Sequence, residues 1–133
     1  MKSNLATLWY RLHSDVQKSL GLKFGVGEEE FVSWAKSVEI EPVVVDGKVQ
    51  GVIALSGDRL HVAVTKEAKG RWLKQLQRFI EKQGRPLEAL TASEDSQARR
   101  FIERTGCKLI SEDSNCARYA VHPGDLWFNR RSV

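Results

Sequence analysis

At 133 residues the chain is long enough to bury a core without a metal or disulfide staple, and its 41% hydrophobic and 29% charged residues are the proportions of a globular rather than a disordered protein. Its net charge of +4 suits an anionic ligand, but no dense Lys/Arg block or aromatic–basic interleaving points to nucleic acid. No apolar run reaches the length of a membrane span, and Arg11, His13 and Asp15 interrupt any signal-peptide core, so a single domain in the cytoplasm is expected.

The first predicted element is a helix from Asn4 to about Leu20, with Leu5, Leu8, Trp9, Leu12 and Val16 at helical spacing. "GLKFGVG" breaks it. A second helix runs from Glu28 to Val38 with Phe31, Trp34, Ala35 and Val38 on one face, and Glu28, Glu29 and Glu30 suit its positive end. The period then changes to that of strands. Three are predicted at about 42–46, 48–55 and 59–65, and Asp46-Gly47 between the first two calls for a type I′ hairpin turn.

The stretch "VAVTKEAKGRWLKQLQRFIEK" passes from the third strand into a third helix. Trp72, Leu73, Leu76, Phe79 and Ile80 form its apolar stripe, and Gly84 ends it. A strand in "RPLEALTA" follows. The next helix, "SEDSQARRFIERTG", has Ser93 or Thr91 as its N-cap, Ala98, Phe101, Ile102 and Thr105 inward, and Gly106 at its end. "CKLISED" and "NCARYAV" close the chain as a hairpin before the tail "HPGDLWFNRRSV".

A hairpin turn centred on Asp113 or Ser114 sets Cys116 opposite about Ser111, well away from Cys107. Neither a disulfide nor a metal site is expected. The element order implies an α+β (α/β) fold: a mixed, mostly antiparallel sheet of about six strands with helices on both faces. The strand–helix–strand unit from Leu60 to Leu90 forces one parallel pair.

Two stretches, within roughly residues 28–121, resemble the GNAT superfamily of N-acetyltransferases. The family's pyrophosphate loop follows a strand directly and reads Arg/Gln-x-x-Gly-x-Gly/Ala, often with Arg-Gly at its centre. Here Lys69-Gly70 falls on that step, while Trp72 and Lys74 stand at the next two small-residue positions. The second stretch, "DSQARRFIERTGC", is similar to the family's Asn-x-x-Ala-x-x-x-Tyr-x-x-x-Gly-Phe. Asp95, Ala98, Ile102, Gly106 and Cys107 fall on the named positions, so the usual tyrosine acid has no counterpart at Ile102.

The resemblance implies acetyl-CoA as cosubstrate, lying between the strand ending near Thr65 and the strand at Leu87–Leu90. Val64, Thr65, Lys66, Lys69, Gly70, Arg71 and Asp95 would contact it, and an amine-bearing acceptor would attack its thioester. The family opens with a strand before its helices, whereas this chain opens with a helix. It also resembles small bacteriophage proteins of this fold associated with virion assembly. That likeness implies an alternative role by contact with a protein partner, in a particle or a host, and self-association stands open as well.

Each candidate residue carries two readings. The basic loop is an anion site or a solvated helix start. His61 is a general base toward an amine or a half-exposed strand residue. Tyr119 is a replacement acid or a ring packed on the sheet. Trp127 and Phe128 in the tail fold back over an edge or dock a partner.

Overall fold

The computed structural model describes residues 2–19, 25–68 and 70–128. Helix α1 (Lys2–Ser19) buries Ala6 and Trp9 and half-buries Leu5, Leu8 and Leu12; the side chain of Val16 lies outside the described residues. Helix α2 (Glu28–Ala35) buries Phe31 and Ala35, with its three glutamates in the first turn. It ends three residues before the expected Val38, because Lys36 and Ser37 turn the chain back on the Ser33 and Trp34 carbonyls. Val38 is nevertheless buried beyond the helix, whereas Trp34 is 42% exposed.

Six strands follow the expected order: β1 (Glu39–Val45), β2 (Lys48–Ser56), β3 (Arg59–Val64), β4 (Leu87–Ala92), β5 (Lys108–Glu112) and β6 (Cys116–Val121). β1 starts three residues before the sequence reading, since Glu39, Ile40 and Glu41 pair with Leu55, Ala54 and Ile53. Two glutamates in three positions hid that strand from any apolar pattern. Asp46 (φ 53°) and Gly47 (φ 76°) both have positive φ, as a type I′ turn requires. The sheet order is β1-β2-β3-β4-β6-β5, and the pairing of β3 with β4 is parallel through Arg59↔Glu88 and Leu60↔Ala89. The fold is α+β, with a mixed, mostly antiparallel sheet.

Helix α3 (Leu73–Gln83) buries Leu76, Phe79 and Ile80, with Trp72 buried immediately before it and Gly84 (φ 65°) after it. Helix α4 (Ser96–Thr105) is capped by Asp95, not by Ser93 or Thr91: the Asp95 carboxylate accepts the Ala98 N–H at 3.0 Å. The Ser93 hydroxyl instead donates to the Asp113 carbonyl. Gly106 ends α4 in the left-handed region, as expected.

Two compact units divide the chain, one within Met1–Gly57 and His61–Leu76, the other within Asp58–Leu60 and Gln77–Val133. In the first, Trp9, Phe31, Val38, Val52 and Ala54 form a core, with Leu5, Leu8, Tyr10, Ile40 and Ala63 packed against it. In the second, Phe79, Ile80, Leu87, Ala117, Tyr119, Val121 and Leu126 are buried. Within that unit the tail folds back on α4. Its turn at Pro123–Asp125 passes so close to Gly106 that a Cβ there would meet the Asp125 carbonyl at 2.2 Å, and the Trp127 N–H donates to the Thr105 carbonyl at 2.9 Å. In the β5–β6 hairpin Cys116 bonds across to Asp113, closer to the turn than the expected Ser111, and both cysteines are free thiols.

Candidate functional site

The strand-to-helix loop of the first unit begins where β3 is tied to β2. The Thr65 N–H donates to the Gln50 carbonyl at 2.8 Å, and its hydroxyl donates to the Gln50 side-chain oxygen at 2.6 Å. From there the backbone descends by three-residue turns. The Ala68 N–H donates to Thr65, Arg71 to Ala68, and Leu73 to Gly70, before Leu76 makes the first four-residue bond to Trp72. The Thr65, Ala68, Arg71 and Leu73 amides are thus already engaged by the chain itself.

Side chains sort to two sides of the loop. Ala68 is fully buried and Trp72 is 5% exposed, so the bulk of the indole goes into the core. Lys66, Glu67, Gly70, Arg71 and Lys74 are exposed. Gly70 has φ 80°, a conformation that strains any residue with a Cβ, and a Cβ built there would meet no atom within 4 Å. Its backbone is therefore approachable from outside. The glycine serves the turn and leaves open space in front of it.

The electrostatics of the loop are mixed. The start of α3 carries the positive end of the peptide dipoles, and Lys66, Arg71 and Lys74 add cationic charge. Against them stand Glu67 and Asp46. The Arg71 guanidinium makes an ion pair with the Asp46 carboxylate, reached from the β1–β2 turn, while both side chains stay more than half exposed. Gln75, on α3, reaches β1 beside that turn: its Oε1 accepts the Val44 N–H at 2.9 Å, and its Nε2 donates to the Pro42 carbonyl at 2.8 Å.

His61 lies earlier on β3, the strand that leads into this loop. It shares its side of β3 with Ala63, which packs against the aromatic core, and its ring sits 5.1 Å from Trp9 and 6.2 Å from Trp34. The imidazole is half-buried in an aromatic cluster that also holds Phe31, 4.8 Å from Trp9.

The remaining two candidates belong to the second unit. Asp95 caps α4, so its carboxylate holds a backbone N–H of its own helix. Tyr119 is fully buried on β6; its hydroxyl donates to the Glu103 carboxylate at 2.6 Å and accepts from Arg99 Nε at 3.1 Å. Burial and the Glu103 carboxylate push the phenol above its ordinary value, so it is a held proton donor. Arg99 continues the network with two bonds to Glu112, at 2.7 and 3.0 Å, and one to the Ser93 carbonyl. The Glu112 carboxylate holds the guanidinium above its ordinary value, and Arg99 holds Glu112 below its own.

Val64, Thr65, Lys66, Gly70 and Arg71 therefore follow one another along a single strand end and loop, with His61 earlier on that strand. Lys69 lies outside the described residues. Asp46, Gln50, Gln75, Arg99 and Glu103 are functional neighbours that sequence reasoning missed. Each acts on a residue at least 15 positions away, and no spacing rule joins such partners. Only Asp46 had a local signal, the Asp-Gly turn, and that signal speaks of backbone rather than of its carboxylate. Among the described residues, no three His, Cys, Asp or Glu side chains are placed to hold a metal ion, and no helix is long and apolar enough to cross a membrane.

No family model matches the chain, and no curated protein matches it by sequence. Solved structures do match. An acetyltransferase from Thermus thermophilus aligns with a TM-score of 0.68 at 14% identity, over 90% of this chain and 92% of that one. An acetyltransferase of the GNAT family from Staphylococcus aureus aligns at 0.64 and 11% identity, over 91% and 94%. The PaiA N-acetyltransferase of Thermoplasma acidophilum, in complex with coenzyme A, aligns at 0.56 and 12% identity, over 90% and 89%. Identities this low speak for the fold, and the fold is that of the GNAT acetyltransferases.

Proposed function

We propose that this GNAT-fold chain binds an acyl-CoA, with acetyl-CoA as the expected donor, and transfers the acyl group to an amine. The observation that carries the reading is the loop after β3. In a fold whose solved examples include an acetyltransferase holding coenzyme A, this chain places an open, positive-φ glycine between Lys66 and Arg71 at the start of an amphipathic helix. Pyrophosphate is an anion that backbone N–H groups and a helix start favour, and Gly70 leaves its backbone within reach.

The chemistry asks little of side chains. An amine nitrogen attacks the thioester carbonyl and forms the C–N bond, the tetrahedral centre collapses with cleavage of the C–S bond, and the amine's proton leaves through a base while the thiolate departs. Positioning and carbonyl polarisation supply most of the acceleration in such a step. His61 would be the base on this reading, held in orientation by Trp9 and Trp34. Asp95 would act on the donor only indirectly, through the start of α4 that it caps. Tyr119 would keep its proton and hold β6 to α4 through Arg99 and Glu103, outside the transfer itself.

A contact-only role on the same fold is the second reading. It is favoured by the loop amides already engaged by the chain and by the occupation of Arg71 by Asp46. Acetyl-CoA titration followed by thermal unfolding separates the two. A ligand present at a hundred times its dissociation constant stabilises the native state by about 2.7 kcal/mol. A shift that Lys66→Glu with Arg71→Glu abolishes supports the donor site at this loop, and release of free CoA thiol with an amine acceptor then tests transfer. No shift at millimolar acetyl-CoA leaves the contact role.

A further inference from the structure

The ion pair at the loop bears on the donor's affinity, an inference that rests on the acyl-CoA reading above. Arg71 is the described cation nearest the open Gly70 backbone in sequence, and its guanidinium is engaged by a carboxylate of the same chain. Carboxylate and phosphate oxygens accept alike from a guanidinium N–H, and one Asp46 oxygen does so here. We infer that Asp46 is an internal competitor for the anionic donor: it occupies the group that a phosphate of the CoA moiety would take, and so sets the affinity of the loop.

Three features make the competition workable. The first is that Asp46 is held by its turn. With φ 53° and a following glycine at φ 76°, its backbone is set in a tight turn that presents the carboxylate to Arg71. The second is that β1, which leads into the turn, is joined to the first turns of α3 independently of the ion pair, because Gln75 bonds both the Val44 N–H and the Pro42 carbonyl. Freeing Arg71 therefore leaves the loop in place. The third is exposure. Side chains 55% and 67% exposed form a pair screened by water, weak enough for a multiply charged ligand to displace and strong enough to lower its affinity.

Asp46→Asn is the informative variant, since asparagine tolerates the left-handed conformation and keeps the turn while removing the charge. CoA is titrated calorimetrically, at low and at physiological ionic strength, into wild type, Asp46→Asn, Arg71→Ala and the double variant. An exposed ion pair predicts that Asp46→Asn tightens binding by about two- to five-fold, more at low salt, and that the gain vanishes in the Arg71→Ala background. CoA binding by Asp46→Asn where wild type shows none would support the assignment more strongly still.

Two results overturn it while leaving the acyl-CoA reading intact. One is equal affinity of wild type and Asp46→Asn. The other is a gain that persists without Arg71, which would make Asp46 a distant charge and not a competitor. No binding by any of the four proteins sinks the acyl-CoA reading itself, and the Asp46 assignment with it.

Discussion

Tyr119 illustrates how a residue's chemistry is decided by its neighbours. A buried phenol between the Arg99 guanidinium and the Glu103 carboxylate keeps its proton, because burial disfavours the phenolate and Glu103 accepts the hydrogen bond. Its hydroxyl is a strut between β6 and α4. Tyr119→Phe is therefore expected to lower stability by about 1.5–3 kcal/mol, the net worth of a hydrogen bond to a charged group, with any acyl transfer unchanged. Denaturant unfolding and a thiol-release assay check the two halves. Loss of transfer at unaltered stability would return Tyr119 to the role of acid. In the sequence Tyr119 was legible as a sheet residue, but its partners were not: Glu103 reads as a solvent-facing helix position, 16 residues away.

At the scale of elements, β2 and β3 come closer than ordinary side chains permit. A Cβ at Gly51 would lie 2.2 Å from the Ala63 carbonyl oxygen and 2.7 Å from the Val64 Cα, both backbone atoms that move only with the strand. Gly51→Ala is expected to cost about 1–3 kcal/mol, the range for forcing bulk into a packed interior, and to appear as a lowered melting temperature. Since Val64 leads directly into the Thr65–Leu73 loop, the same variant should also weaken any CoA binding; an unchanged melting temperature would count against the close approach. Gly51 is one of ten glycines, and nothing in its flanking residues set it apart. The outer strand β5 shows a different solution. All five of its residues are exposed, and a register shift between Leu109 and Ser111 breaks the regular ladder, which blunts an edge against further pairing.

At the scale of the molecule, two carboxylates of the second unit contribute to the acid side of the stability curve. Hydrogen bonds from Arg99 hold Glu112 below its ordinary value of 4.5, and the Cys116 and Asn115 N–H groups hold Asp113 below 3.8. A depressed folded value means that the stabilisation is whole above the unfolded values and is lost as the pH falls through the folded ones. Stability is thus expected to drop below about pH 4. The loss should be shallower in Glu112→Gln with Asp113→Asn, as urea unfolding at stepped pH would read; equal acid limbs would place the effect in other carboxylates.

Element types and order were written in the chain, because hydrophobic period, the Asp46-Gly47 turn and the terminating glycines Gly84 and Gly106 are local signals. They gave the six strands, the parallel step and the place of the basic loop. What tertiary structure alone decided is what each charged or polar side chain meets. It set Asp46 on Arg71, Gln50 on Thr65, and Arg99 between Glu112 and Tyr119. Backbone preference acts between neighbours in sequence, whereas the partner of a long polar side chain is chosen by folding distant segments together. The loop's position was therefore readable from the sequence, and the competition for its arginine was not.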